Sequence, residues 1–210
     1  MPHDTSTNYG VAEGGAKVVL DGTKTILLVG VGGQGTILAG QRLAMVAADA
    51  GLDVKVSELH GMSQRGGSVS TVVRVGEKVE SMVCDPGCAD IVVAFEAVEA
   101  QRAQQFLRDG GTLFVNDEQI VPVSVNVGNF TMPADTDERL DAVGAVRIDA
   151  GEIARAAGSP KSTNVMLVGA LSTALPFSVE EWQDAIRRRV PPKTIDANLV
   201  AFARGREAVA

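Results

Sequence analysis

The chain reads as an α/β protein with a Rossmann-like, three-layer arrangement, a mostly parallel sheet and helices gathered at its C-terminal end. Three observations predict this. Short continuous apolar runs recur at Ile26–Val29 and Ile91–Phe95, as expected for strands buried on both faces, and Thr112–Val115 reads as a further strand. The first runs straight into Gly30-x-Gly32-x-x-Gly35 and then into a stretch with helical periodicity. The last third of the chain carries helical patterns with little strand character between them.

The elements follow in order. Residues 1–23 are polar and Gly-rich, without a sustained period, and read as a flexible leader in which Val18–Leu20 dock locally; residues 24–206 read as a single domain. After the glycine turn, Ile37, Leu38, Leu43, Val46 and Ala47 form one stripe of a helix that stops near Gly51. Asp53–Glu58 and Ser68–Val75 alternate as strands, with Val79–Val83 read as pairing back in a hairpin. Glu96–Arg108 reads as a helix broken by Gly110-Gly111, Val121–Val125 as a short strand, 126–143 as irregular and Ala145–Ile148 as a late strand. Four helices are then expected, at about 150–157, 164–175, 179–189 and 192–205. Ser178-Val179-Glu180-Glu181 is a capping box at the start of the third.

Composition narrows the functional classes. The 210 residues suit one α/β domain, and 45% apolar content argues against wholesale disorder. A formal net charge of −7 argues against a nucleic-acid surface and against a polybasic membrane patch. No apolar run approaches a bilayer span, and the first residues lack a secretory pattern, so a cytoplasmic location is expected. Cys84 and Cys88 form a C-x3-C pair. A disulfide between them is open, but the pair reads as plain structural or surface thiols in a reducing compartment. Two cysteines are too few for an iron–sulfur cluster, and no metal site is expected.

Two segments carry candidate chemistry. Gly30, Gly32, Gly33, Gln34 and Gly35 form a turn that lets backbone approach a ligand and leads to a helix N-terminus with free N–H groups. Such a turn serves an anionic ligand or simply permits tight packing; Glu58 stands where a dinucleotide-binding fold places its acid. The second segment runs from Glu58 to Ser68. It holds His60, Ser63, Gln64, Arg65, Gly66 and Gly67 at the carboxyl end of a strand, where open α/β sheets place ligands. Arg65 beside two glycines suits a carboxylate or phosphate, and His60 titrates near neutrality; the bland alternative is a solvated surface turn. Thiamine diphosphate, Walker, nucleophile-elbow and HExxH motifs are absent.

Three segments occur together in an order that resembles the gamma subunits of 2-oxoacid:ferredoxin oxidoreductases: Val29–Gly35, His60–Ser68 and Ala89–Glu96. The His-Gly-Met-Ser-Gln-Arg-Gly-Gly form is most similar to the small chain of the indolepyruvate type, and Asn164–Leu171 and Val190–Gly205 resemble that family's C-terminal helices. The resemblance covers about residues 24–206. It implies a subunit inactive alone, in an enzyme that converts a 2-oxoacid (an aryl pyruvate) and coenzyme A to acyl-CoA and CO2 with reduction of ferredoxin. It also implies that thiamine diphosphate, magnesium and iron–sulfur clusters sit in a larger partner subunit, with none bound by this chain alone. The glycines would line an anion-accepting turn. His60, Gln64 and Arg65 would take supporting roles in catalysis, facing the partner's cofactor or the coenzyme A phosphates, with Ser63, Gly66 and Gly67 beside them. Any apolar patch left uncovered would pair with a second copy. A stand-alone NAD(P) oxidoreductase and a nucleotide- or acyl-CoA-binding regulatory module are the alternatives.

Overall fold

The computed structural model describes residues 18–60, 67–121, 123–126, 128–129, 131–156 and 159–210. Ser63, Gln64, Arg65, Gly66 and leader residues 1–17 lie outside the described residues.

Six strands form one sheet: β1 (Lys24–Val31), β2 (Asp53–His60), β3 (Ser68–Gly76), β4 (Ala89–Ala94), β5 (Leu107–Asn116) and β6 (Val146–Ile148), in the order β2-β3-β1-β4-β5-β6. β1, β4, β5 and β6 pair in parallel, whereas β3 runs antiparallel between β1 and β2. β1 and β2 therefore point the same way, and all strands except β3 share one direction.

The alternation of β1 explains the layers. Ile26 and Leu28 face one apolar cluster and Leu27 and Val29 the other, so the sheet is covered on both faces. The first face is covered by α1 (Thr36–Asp49), α6 (Thr163–Ser172), α7 (Val179–Arg189) and α8 (Ile195–Glu207), with α5 (Ala150–Ala156) at its edge. The second carries α2 (Ala97–Ala103) and α4 (Thr136–Ala142), through Ala97, Ala100 and Leu140. Val18 and Leu20 pack against the first cluster, while Val19 points outward.

α6 is buried continuously from Val165 to Ser172 and has no polar face. It crosses α8 at backbone contact. A Cβ on Gly169 would run into the Phe202 carbonyl oxygen, and one on Gly205 into that of Met166. Only glycine at both positions allows this approach. α7 starts at the capping box as the sequence predicts, Ser178 and Glu181 exchanging hydrogen bonds.

Several segments differ from the sequence reading. Val79–Val83 forms no strand: β3 is already paired along both edges, by β1 and β2. That segment is instead held by Asp53, which accepts from Val79 N (2.8 Å), and by Arg74, which donates to the Ser81 and Val83 carbonyls. The helix expected over 96–108 ends at Ala103, tightens into a 3-10 turn over Gln104–Phe106 and becomes strand at Leu107. Gly110 and Gly111 then sit inside β5, where the β4 pairing shifts register between Ala89 and Ile91; they serve an irregularity in a strand. In place of a strand at 121–125 there is a short helix, α3 (Val123–Asn126), and the irregular 126–143 stretch contains α4.

Candidate functional site

The glycine turn sits at the carboxyl end of β1. Gly35 caps α1 with φ 91° and supplies no side-chain oxygen, and no acidic residue occupies the helix's first turn. Among the described residues no side chain caps the first N–H groups of α1, the kind of helix start that accepts an anion. Gly35 also lies against α6: a Cβ there would come within 2.6 Å of Asn164 Nδ2. Gly33 is exposed, with φ 107° and open space around its Cα. Gly30 is buried beneath the turn, where a Cβ would meet Gln34 Oε1 at 2.8 Å and Phe95 Cβ at 2.9 Å.

Gln34 holds the turn to the sheet. Its Oε1 accepts from Val31 N (2.7 Å) and its Nε2 donates to the Phe95 carbonyl (2.9 Å). The same carbonyl accepts from Asn116 Nδ2 at 3.1 Å, while Asn116 Oδ1 accepts from Ala150 N at 3.1 Å. One buried amide thus ties the ends of β4 and β5 to the start of α5. Glu96, 1% exposed, caps α2 by accepting from Glu99 N (2.8 Å) and also accepts from Ile120 N (3.1 Å). Burial pushes its carboxyl above the usual carboxylate range, against these backbone donors.

The second candidate segment starts and ends at this same end of the sheet. His60 pairs with Val69 and Ser68 with Val31 across the ladders. Gly32 N donates to the Gly67 carbonyl at 2.8 Å, and Ser68 Oγ donates to the buried Glu99 at 2.5 Å. Gly32 and Gly67 are therefore in direct contact, and Arg65 is two residues from that contact along the chain. Two open cavities flank the turn. One, about 500 Å³, is lined by Gly32, Gly33, Gly35, Thr36, Ile37, Leu38 and Val69. The other, about 420 Å³, lies between the turn and Phe95, Asn116, Glu118, Ile120, Lys161, Thr163 and Asn164. Leu38 and Leu59 are exposed at this end, at 50% and 63%.

The sequence reading missed Glu96, Asn116, Glu118, Lys161 and Asn164. For the first three a signal was present: Glu96 and Asn116 follow directly on apolar strand runs and Glu118 lies two residues further, at the carboxyl end where this fold class binds ligands. Lys161 and Asn164 arrive from a distant helix start and carry no such mark. Conversely, Glu58 does not stand where a dinucleotide needs it. It pairs with Thr71 of β3, so a whole strand separates it from β1 and puts it about 9–10 Å from that strand. An acid reading a ribose belongs on the strand adjacent to the glycine turn. The stand-alone NAD(P) alternative loses its acidic residue here.

Residues 25–208 match the pyruvate ferredoxin/flavodoxin oxidoreductase family. The chain belongs to that family. It is 44% identical over 188 residues to the indolepyruvate oxidoreductase subunit IorB of Thermococcus kodakarensis, spanning 86% of this chain and 93% of the relative. It is 31% identical over 197 residues to the 2-oxoglutarate synthase subunit KorC of Methanothermobacter marburgensis, spanning 89% and 96%. The crystal structure of a pyruvate oxidoreductase subunit from Thermotoga maritima superposes with a TM-score of 0.68 at 24% identity, over 89% of this chain and 97% of that one, and shares its fold. Each relative is named as a subunit of a larger enzyme. Among the described residues no helix is long and apolar enough to cross a membrane.

Proposed function

We propose that this chain is the small, non-autonomous subunit of an indolepyruvate-type 2-oxoacid:ferredoxin oxidoreductase, and that residues 24–206 form one wall of its catalytic cleft. The 44% identity to an indolepyruvate oxidoreductase subunit over most of both chains carries this reading. The chemistry of the carboxyl end supports it. That end offers the start of a helix and an apolar wall. Among the described residues it offers no cluster of three or more His, Cys, Asp or Glu side chains for a metal. Such a surface binds and orients; a second polypeptide has to bring the reacting groups.

The residues present fit the anionic part of coenzyme A. The uncapped start of α1 and the turn Gly32, Gly33, Gly35 receive negative charge, and Ile37, Leu38 and Val69 give an aliphatic surface beside it. Contacts with the partner are assigned to His60, Ser63, Gln64, Arg65, Gly66 and Gly67, because the strand ends on either side of that segment, at His60 and Ser68, lie at this end of the sheet. Gln34 keeps the turn in shape from behind, and Gly30 gives it room. The larger subunit holds thiamine diphosphate with magnesium, which supplies the decarboxylation chemistry, and iron–sulfur clusters that pass electrons to ferredoxin. The assembled enzyme is cytoplasmic and makes acyl-CoA and CO2 from aryl pyruvates.

The test is reconstitution. The chain alone is expected to be inactive toward indolepyruvate with coenzyme A and a viologen acceptor, and to restore turnover when added to the large subunit. Turnover by the large subunit alone at the full rate would refute the proposal. In the assembled enzyme Arg65→Ala should raise the KM for coenzyme A with kcat little changed; an unaltered KM would remove Arg65 from that role.

A further inference from the structure

At the end of the sheet away from the cleft, two thiols meet. Cys84 Sγ and Cys88 Sγ are 2.6 Å apart, both half-buried, just before β4 begins at Ala89. A turn brings them together. Cys88 N donates to the Asp85 carbonyl (3.1 Å), Gly87 takes φ 74°, and Gly87 N donates to the Gln105 carbonyl (2.9 Å). Asp85, Pro86 and Gly87 are exposed, so solvent reaches the pair across the turn. A separation of 2.6 Å is only about half an ångström beyond a disulfide bond. Forming that bond therefore needs little movement of the chain. A zinc ion would want about four such ligands. Among the described residues no third His, Cys, Asp or Glu joins these two in a metal-binding group.

We propose that Cys84 and Cys88 are a reversible dithiol–disulfide couple, closed by exchange with a low-molecular-weight disulfide. In the first step one of the two cysteines gives its proton to solvent and its sulfur attacks one sulfur of the small disulfide, giving a mixed disulfide and releasing one small thiolate. In the second, the other cysteine gives its proton to solvent and its sulfur attacks the protein sulfur of the mixed disulfide, displacing the other small thiolate. The two protein thiols lose two protons and two electrons, and the small disulfide is reduced to two thiols. Burial first, then the neighbouring Cys88, push the Cys84 thiol up, and Arg74 acts the other way by favouring its thiolate. Closure fixes residues 84–88 next to exposed Met82 and Val83, and leaves the glycine turn at the other end of the sheet untouched.

The full chain is equilibrated in mixtures of reduced and oxidised glutathione, quenched in acid, alkylated and weighed intact. The wild type should pass in one transition from two alkylated thiols to none, with almost no singly glutathionylated protein at any ratio. Cys84→Ser should accumulate glutathione on Cys88, and Cys88→Ser should accumulate it on Cys84. Independent modification of the two wild-type thiols, persistent glutathione adducts, or no oxidation at any ratio would overturn the couple.

Discussion

The two ends of the sheet are built to opposite purposes. At the amino end, Asp90 of β4 accepts from the buried Thr25 N of β1 (2.8 Å) and pairs with Lys24 and with Arg108 of β5 (3.8 and 3.0 Å). Charge meets charge there, and the ends of three adjacent strands are clamped. At the carboxyl end the chain uses glycines, an uncapped helix start and carbonyls gathered by amide side chains. Its polar side chains hold backbone in place, and among the described residues no side chain caps the start of α1. The difference shows how one fold separates stability from binding: paired charges close one end, and a glycine turn beside open cavities leaves the other accessible.

α6 links the two ends, since Asn164 touches Gly35 and residues 174–176 line a cavity with Lys24 and Asp90. The largest expected effect is therefore at its crossing with α8. Gly205→Val forces the helices apart at backbone contact and should cost about 3 kcal/mol or more. Both ends should fail together in thermal unfolding and in reconstitution. A variant that keeps wild-type stability would show that the crossing is not tight.

Gly35→Ala acts on the carboxyl end alone. The left-handed backbone and the Asn164 contact together should cost about 1–3 kcal/mol, and reconstituted activity should fall further than stability does. Asn164→Ala in the same chain should recover the steric part and leave the backbone part. Asp90→Ala, at the other end, leaves Thr25 N buried without an acceptor. It should cost about 1–2 kcal/mol in denaturant unfolding while turnover per folded complex stays at the wild-type value. Comparable activity losses from Gly35→Ala and Asp90→Ala would erase the distinction between the ends.

Much of this was legible in the sequence, for physical reasons. The continuous apolar run of β1 and the capping box before Val179 are local signals, and both elements formed where they pointed. The glycine turn was visible as spacing. What stayed hidden depends on non-local pairing. Nothing in Ser68–Val75 says that it inserts between β1 and β2. That insertion removed both the hairpin expected at Val79–Val83 and the dinucleotide role of Glu58. Gln34 was legible as part of the turn, but its use as a strap to the Phe95 carbonyl was not, because the acceptor lies 61 residues away.

Amide hydrogen exchange on the small chain, alone and then bound to its large partner, goes to the heart of the matter. New protection should appear in residues 31–38 and 58–69 and be absent from residues 84–90 and 107–110. Protection confined to that second set, with the glycine turn exchanging as freely as before, would mean that the partner seals the wrong end of the sheet and that the cleft described here is not shared.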